Sequence, residues 1–211
     1  QKLGKKLKEI GVNADIVFAI PSGGIPVGYS VAKIIGAKLD VLICRKILIP
    51  WNREAGFGAV APDGTYFVDE DFAEHLGLSS EEVEAALREQ LNEIERRLSL
   101  FRANKPYEPL VGKRVVVVDD GIAAGYTTRA AVSFLKKLKP SKIVVAVPTA
   151  HTRSLQSLLN EVDQIVCLNP RGGLFYAVAD AYETWYDLSE NEVLDILEKA
   201  EKEGILAFSL K

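Results

Sequence analysis

Two adjacent carboxylates, Asp119 and Asp120, follow four valines at 115–118 and precede the run Gly121-Ile122-Ala123-Ala124-Gly125-Tyr126-Thr127. A carboxylate pair accepts hydrogen bonds from vicinal hydroxyls. A loop of small residues entering a helix near Thr127 presents backbone N–H groups to an anion. A sugar phosphate needs both. Four β-branched residues in a row suit a strand buried on both faces, as in a parallel sheet. The carboxyl end of such a strand is where open α/β sheets bind ligands. An acidic strand end serving no ligand does not explain the glycines and threonines that follow at these offsets.

Two further segments carry the same chemistry. Pro21-Ser22-Gly23-Gly24 breaks a strand expected over 15–20, and its glycines can bare backbone amides; a plain tight turn is the competing reading. Arg45 and Lys46 directly follow a strand expected over 39–44, and Arg53 lies in the adjacent loop. A solvated basic strand end is the alternative there. The remaining signals are weaker. His75 reads as a loop residue and His151 as a strand-end residue, and neither has a visible partner. No ligand cluster supports zinc. Arg171-Gly172-Gly173 ahead of Phe175 and Tyr176 could flank a planar base, whereas Trp185 and Tyr186 are expected to pack.

The elements that must position these groups are legible from periodicity. A short amphipathic helix opens the chain, with Leu3, Leu7 and Ile10 on one face. A helix is expected over 25–35, closed by Gly36, and an irregular segment over 47–56. Asp63-Gly64 signals a hairpin between 57–60 and 65–68. Ser79 with Glu82, and Ser189 with Glu192, form capping boxes that open a long helix to about residue 101 and a last helix to about 203. Further strands are expected at 143–147 and 164–167, helices to about 138 and over 154–159, and a short strand or loop at 175–178. Strand and helix alternate through the middle, which implies an α/β architecture: an open, mostly parallel sheet with helices on both faces.

Bulk properties narrow the partners. The 211 residues suit one domain, 1–211, and a net charge of -3 exerts no pull on nucleic acid or anionic membrane. No apolar run reaches the roughly 20 residues of a membrane span. Cys44 and Cys167 sit in apolar runs and read as reduced core thiols of a cytoplasmic protein. The chain does not begin with Met, so a trimmed or processed start is expected.

The segment 115–128 closely resembles the phosphoribosyl-pyrophosphate (PRPP) motif of type I phosphoribosyltransferases, and matches to a broad subgroup of that family extend to 54–60, Arg96-Arg97, Phe101-Arg102 and 175–185. The resemblance implies a core at about 14–70 and 112–180. It also implies a hood with extra helices at about 1–13, 78–104 and 181–211, and a flexible hairpin loop. The implied reaction moves a 5-phosphoribosyl group from PRPP to a nitrogen acceptor, with Mg²⁺ held mainly by PRPP and touching Asp119 and Asp120 through water. No direct metal ligand is implied. Catalytic roles fall on Asp119, Asp120 and Lys46. The PRPP site comprises Ser22, Gly23, Gly24, Arg45, Lys46, Asp119, Asp120, Gly121, Ile122, Ala123, Ala124, Gly125, Tyr126 and Thr127. A homodimer is the implied assembly.

Departures from the family pattern are informative. Ala123 stands where enzymes for 6-oxopurines carry an aspartate, which argues against that acceptor class. Ser22 replaces an arginine of the closest patterns, and Ala124 replaces a frequent threonine. Two other activities fit the same cradle: a PRPP-sensing regulatory module, and a ribose-phosphate hydrolase.

Overall fold

The computed structural model describes residues 1–173 and 176–211. The chain opens with α1 (Lys2–Glu9), which buries Leu3 and Leu7 as their spacing predicts. Then come β1 (Ile16–Ala19), α2 (Gly24–Ile35) and β2 (Lys38–Val41). The next strands, β3 (Arg45–Ile49), β4 (Asn52–Val60) and β5 (Tyr66–Val68), form a separate antiparallel sheet in the order β3-β4-β5. Helices α3 (Glu70–His75) and α4 (Ser80–Arg102) follow, then β6 (Arg114–Val118), α5 (Tyr126–Lys137), β7 (Lys142–His151), α6 (Thr152–Leu158) and β8 (Gln164–Arg171). A 3-10 turn at Val178–Ala181 and α7 (Glu190–Lys202) complete the fold. The main sheet has the order β2-β1-β6-β7-β8 and every pairing in it is parallel, in keeping with the expected α/β architecture.

Strand β6 shows why the valine run reads as a doubly covered strand. Val116 and Val118 face a core shared with α1, α2 and α7, whereas Val115 and Val117 face a second core built with α5 and α6. Because side chains alternate across a strand, apolar residues at every position are required only when both faces are covered. Both capping boxes are present: Glu82 N–H donates to Ser79 Oγ at 3.2 Å, and Glu192 N–H donates to Ser189 Oγ at 3.3 Å.

Several expectations are corrected. Residues 47–56 are mostly paired strand rather than an irregular segment, although the register shifts between Ile47 and Leu48 and between Leu48 and Ile49. Ile47 and Ile49 point inward with alternate residues outward, and the pairs Arg45↔Val60 and Lys46↔Ala59 build the antiparallel sheet. The turn at Pro50 and Trp51 hides that alternation in the sequence. The strand expected over 39–44 stops at Val41, and buried Leu42, Ile43 and Cys44 carry the chain between the two sheets. His75 ends a helix rather than lying in a loop. Strands β7 and β8 run beyond 147 and 167, because Thr149, Ala150 and His151 pair with Asn169, Pro170 and Arg171. The short element expected over 175–178 falls partly outside the described residues. Both cysteines are free, Cys44 buried and Cys167 half-buried.

Helix α4 is anchored by a buried ion pair that no local pattern announces. Arg102 donates Nε to Asp40 Oδ1 and Nη2 to Asp40 Oδ2, both at 2.9 Å, while its guanidinium stacks on Tyr107 at 3.8 Å and Phe208 at 4.8 Å. Both partners are nearly inaccessible, at 2% and 6% exposure. Asp40→Asn leaves the guanidinium buried without its counter-charge and should cost about 3–5 kcal/mol in urea denaturation. Replacing both partners, Asp40→Leu with Arg102→Met, should cost clearly less; an equal or greater loss would show that the pair's own attraction dominates.

Candidate functional site

The carboxyl ends of β1 and β6 lie side by side, since Ile16, Val17, Phe18 and Ala19 pair with Val115, Val116, Val117 and Val118. The loop after β1 and the acid pair after β6 therefore meet. The meeting is close enough to demand glycine twice. A Cβ on Gly23 would overlap the Asp120 carboxylate, only 2.6 Å from its Cγ. On Gly24 it would lie 3.0 Å from the Val118 carbonyl oxygen and 3.1 Å from Asp119 Cα. The two glycines make room for the acids, a role distinct from baring amides. The Pro21–Ser22 peptide bond is cis.

The loop beyond the acid pair is held from behind by the extension of β7. Ile122 N–H donates to Thr149 O at 3.1 Å, and His151 N–H donates to Ile122 O at 2.8 Å. The Ser154 hydroxyl donates to Ala123 O. Gly125, at φ 86°, turns the chain into α5 in a conformation that favours glycine. Among the described residues no backbone acceptor takes the N–H groups of Ala123, Ala124 or Gly125, and the first turn of α5 leaves its own N–H groups free by helix geometry. Ala123 and Ala124 are exposed. Free amides at the start of a helix, open to solvent, have the arrangement that suits an anion.

The electrostatics complement it. Burial, then the charge of Asp120, pushes the Asp119 pKa well above the ordinary value, and burial raises Asp120 also. Asp119 Oδ1 accepts from Asp120 N–H at 2.8 Å, which opposes the shift without cancelling it. Lys46 is the cation that acts on both carboxylates. Two carboxylates pressed together with one flexible lysine for compensation form a place prepared for hydroxyl donors or a cation.

A cleft of about 1600 Å³ gathers nearly every residue expected at the site: Ser22, Gly23, Arg45, Lys46 and the whole run from Asp119 to Thr127. Gly24 is the exception. It is buried, and its N–H donates to Ile20 O at 3.0 Å, so that amide is not free for a ligand. Arg53 reaches the cleft but pairs with Glu89 at 2.9 Å. Tyr126 packs on Phe67, ring centroids 5.7 Å apart, and donates its hydroxyl to Asp69 Oδ2 at 2.8 Å, tying the antiparallel sheet to α5.

Other residues move away from the roles first assigned to them. Trp185 and Tyr186 were expected to be packed, yet they are 40% and 58% exposed on the cleft wall. His151 binds the Gly173 carbonyl through Nε2 at 3.0 Å, and Tyr176 sits against its ring while donating to Thr149 Oγ1. Neither Arg171 nor Tyr176 lines the cleft; Phe175 lies outside the described residues. Sequence reasoning missed Tyr182, whose hydroxyl donates to Asp120 O at 2.6 Å and whose ring meets Trp185 at 5.1 Å. It also missed the supports Thr149 and Ser154, for which no local signal exists because their partners are distant in the chain.

A phosphoribosyl transferase domain family matches residues 78–177. Two proteins of Mycobacterium tuberculosis, MT0597 (strain CDC 1551 / Oshkosh) and Rv0571c (strain ATCC 25618 / H37Rv), both provisionally named phosphoribosyl transferases, are each 34% identical over 203 residues. The alignment covers 96% of this chain and 46% of theirs, so the chain spans just under half the length of these relatives. The crystal structure of TT1426 from Thermus thermophilus superposes with a TM-score of 0.73 at 29% identity, covering 94% of this chain and 93% of that one. With its parallel sheet, its acid pair and the free amides after it, the chain is similar to phosphoribosyl transferase domains over residues 78–177 and to these relatives over nearly its whole length.

The raised pKa of Asp119 has a stability consequence. A carboxylate harder to ionise in the folded than in the unfolded state makes stability fall as pH rises from the ordinary value of 3.8 through the folded value. Asp119→Asn retains an oxygen to accept from Asp120 N–H. Its melting temperature should exceed that of the parent at pH 8, by on the order of 2–4 °C for each 1 kcal/mol relieved. The advantage should shrink towards pH 4. A variant less stable than the parent at pH 8 would show that the pair is not electrostatically strained.

Proposed function

We propose that this chain transfers a 5-phosphoribosyl group from PRPP to a ring nitrogen of a small acceptor, releasing pyrophosphate. The observation that carries this reading is the juxtaposition of a compressed acid pair with an outward-facing amide cradle at the end of β6. The acids accept from the ribose 2′ and 3′ hydroxyls. The amides of residues 123–127, with the Thr127 hydroxyl, hold the 5′-phosphate. Lys46 and the amides of Ser22 and Gly23 face the diphosphate; Arg45, first assigned to the donor site, turns instead to α4, and Gly24 serves by admitting the acids.

In the reaction the bond from the anomeric carbon to the diphosphate oxygen breaks and a bond to the acceptor nitrogen forms; where that nitrogen carries a proton, the proton passes to solvent. Positive charge grows at the anomeric carbon as the bond breaks. Ionised Asp119 and Asp120 stabilise it through space, in a site that is already oriented and partly dry. The antiparallel sheet carrying Lys46 limits access of water, a competing nucleophile. The acceptor lies towards Tyr182 and Trp185, whose rings line the cleft on the side of Asp120. Ala123 offers no carboxylate to a purine N7, so 6-oxopurines are poor acceptors.

The donor set also fits Mg²⁺. It is made of hard oxygens carrying excess negative charge, yet among the described residues no cluster of three ligating side chains exists. PRPP's own oxygens would provide most of the ion's ligands, with Asp119 and Asp120 reaching it through water. When bound, Mg²⁺ supplies charge neutralisation on the diphosphate.

Pyrophosphate release measured over a panel of nitrogen heterocycles with PRPP tests the proposal. Asp119→Asn combined with Asp120→Asn should lower turnover by roughly 10²-fold or more, and a chelator should abolish it in the parent. Undiminished turnover in the double variant would end the assignment.

A further inference from the structure

Adjacent side chains of a strand leave on opposite faces, and β3 uses this to split its two cations. Lys46 acts on the acid pair. Arg45 turns to α4, where its Nε donates to Gln90 Oε1 at 3.3 Å. It has no carboxylate partner among the described residues. Burial, and then the charge of Arg97, pull its pKa down, and Glu93 offsets them only in part. Arg97, two helical turns beyond Gln90, gives its Nε to Glu93 at 2.7 Å, while its Nη1 is enclosed with no hydrogen-bond partner. Arg45 and Arg97 both line the cleft.

The local charge does not balance. Glu93 is shared with Arg96, which also binds Glu190. Three guanidinium groups therefore lean on two carboxylates. An enclosed charged donor without an acceptor is unfavourable, and two mutually repelling arginines add to that. Arg97 also lies over the Phe101 ring, 5.9 Å from its centroid, yet that contact supplies no counter-charge, whereas an anion arriving in the cleft would.

We propose that Arg97, with Arg45 beside it, forms a carboxylate subsite, so that the acceptor is a nitrogen heterocycle bearing a carboxylate. This rests on the phosphoribosyl-transfer reading and gives that site its substrate class. A carboxylate suits it better than a phosphate on two grounds. Arg45, Arg96 and Arg97 against Glu93 and Glu190 leave one positive charge in excess within that cluster, which suits a monoanion, and a planar guanidinium meets a carboxylate in a two-point fork. Asp187, Glu192 and Asp195 line the same cleft and oppose a dianion. Donor phosphates have their own partners in the amide cradle and Lys46, and the charges acting most strongly on Arg45 are those of the α4 cluster and Glu190, not of the acid pair.

Calorimetry on the intact protein tests this with two probe pairs that differ only in the carboxylate: nicotinate against nicotinamide, and orotate against uracil. PRPP is titrated separately to read the donor site. In at least one pair the carboxylate member should bind at least about tenfold tighter than its neutral partner, and Arg97→Gln should erase that preference. Arg97→Lys, which keeps the charge and the stem but not the fork, should restore part of it. Circular dichroism checks that each variant is folded. Equal affinity for both members of each pair, no binding of any probe by a protein that binds PRPP, or a preference unchanged in folded Arg97→Gln overturns the subsite. Loss of PRPP binding by the parent would instead overturn the donor assignment, and the probe preference would still be read on its own.

Discussion

Two like charges held together in a partly dry place constrain most of this molecule. Asp119 and Asp120 can sit at the end of β6 only because Gly23 and Gly24 leave the space that a Cβ would fill. That contact requires β1 beside β6 in register, and so it requires the parallel sheet with its two covered faces. Burial and mutual repulsion make the ionised acids unfavourable for stability, a conflict common at functional sites, where local strain is offset by the surrounding structure.

The surrounding structure supplies that offset through contacts of long range. Strand β7 runs past the point where the sheet core ends, and its last residues grip the loop at Ile122. Ser154 on α6 holds the Ala123 carbonyl and Tyr182 holds the Asp120 carbonyl, each from a distant part of the chain. On the other side, Tyr126 locks the antiparallel sheet to α5 by bonding Asp69. These contacts fix the loop from behind at Ile122 and at the Ala123 carbonyl, while the amides of Ala123, Ala124 and Gly125 stay without a backbone acceptor among the described residues.

The two walls of the cleft divide the electrostatic work. The acid pair and Lys46 face the amide cradle on one side. The arginines of β3 and α4 crowd together on the other, sharing too few carboxylates. A single strand separates these environments by the alternation of its side chains, which is why neighbours as similar as Arg45 and Lys46 serve different walls.

Sequence alone determined what depends on local pattern. The valine run is apolar at every position, so it could only be a doubly covered strand, and the acids, glycines and threonine after it define the cradle by order and spacing. Both capping boxes and the Asp63-Gly64 hairpin rest on contacts within a few residues, and all were legible. Tertiary structure alone decided what depends on partners far apart in the chain. The Asp40–Arg102 pair joins residues 62 positions apart. The strand character of 47–49 emerges only from pairing with β4, and the extension of β7 only from pairing with β8. Gly24 spends its amide inside the fold, Trp185 and Tyr186 stay exposed on the cleft wall, and Arg97 lacks a full set of acceptors. Burial and hydrogen-bond satisfaction are sums over neighbours in space, and a linear pattern carries no term for a neighbour that folding alone brings near.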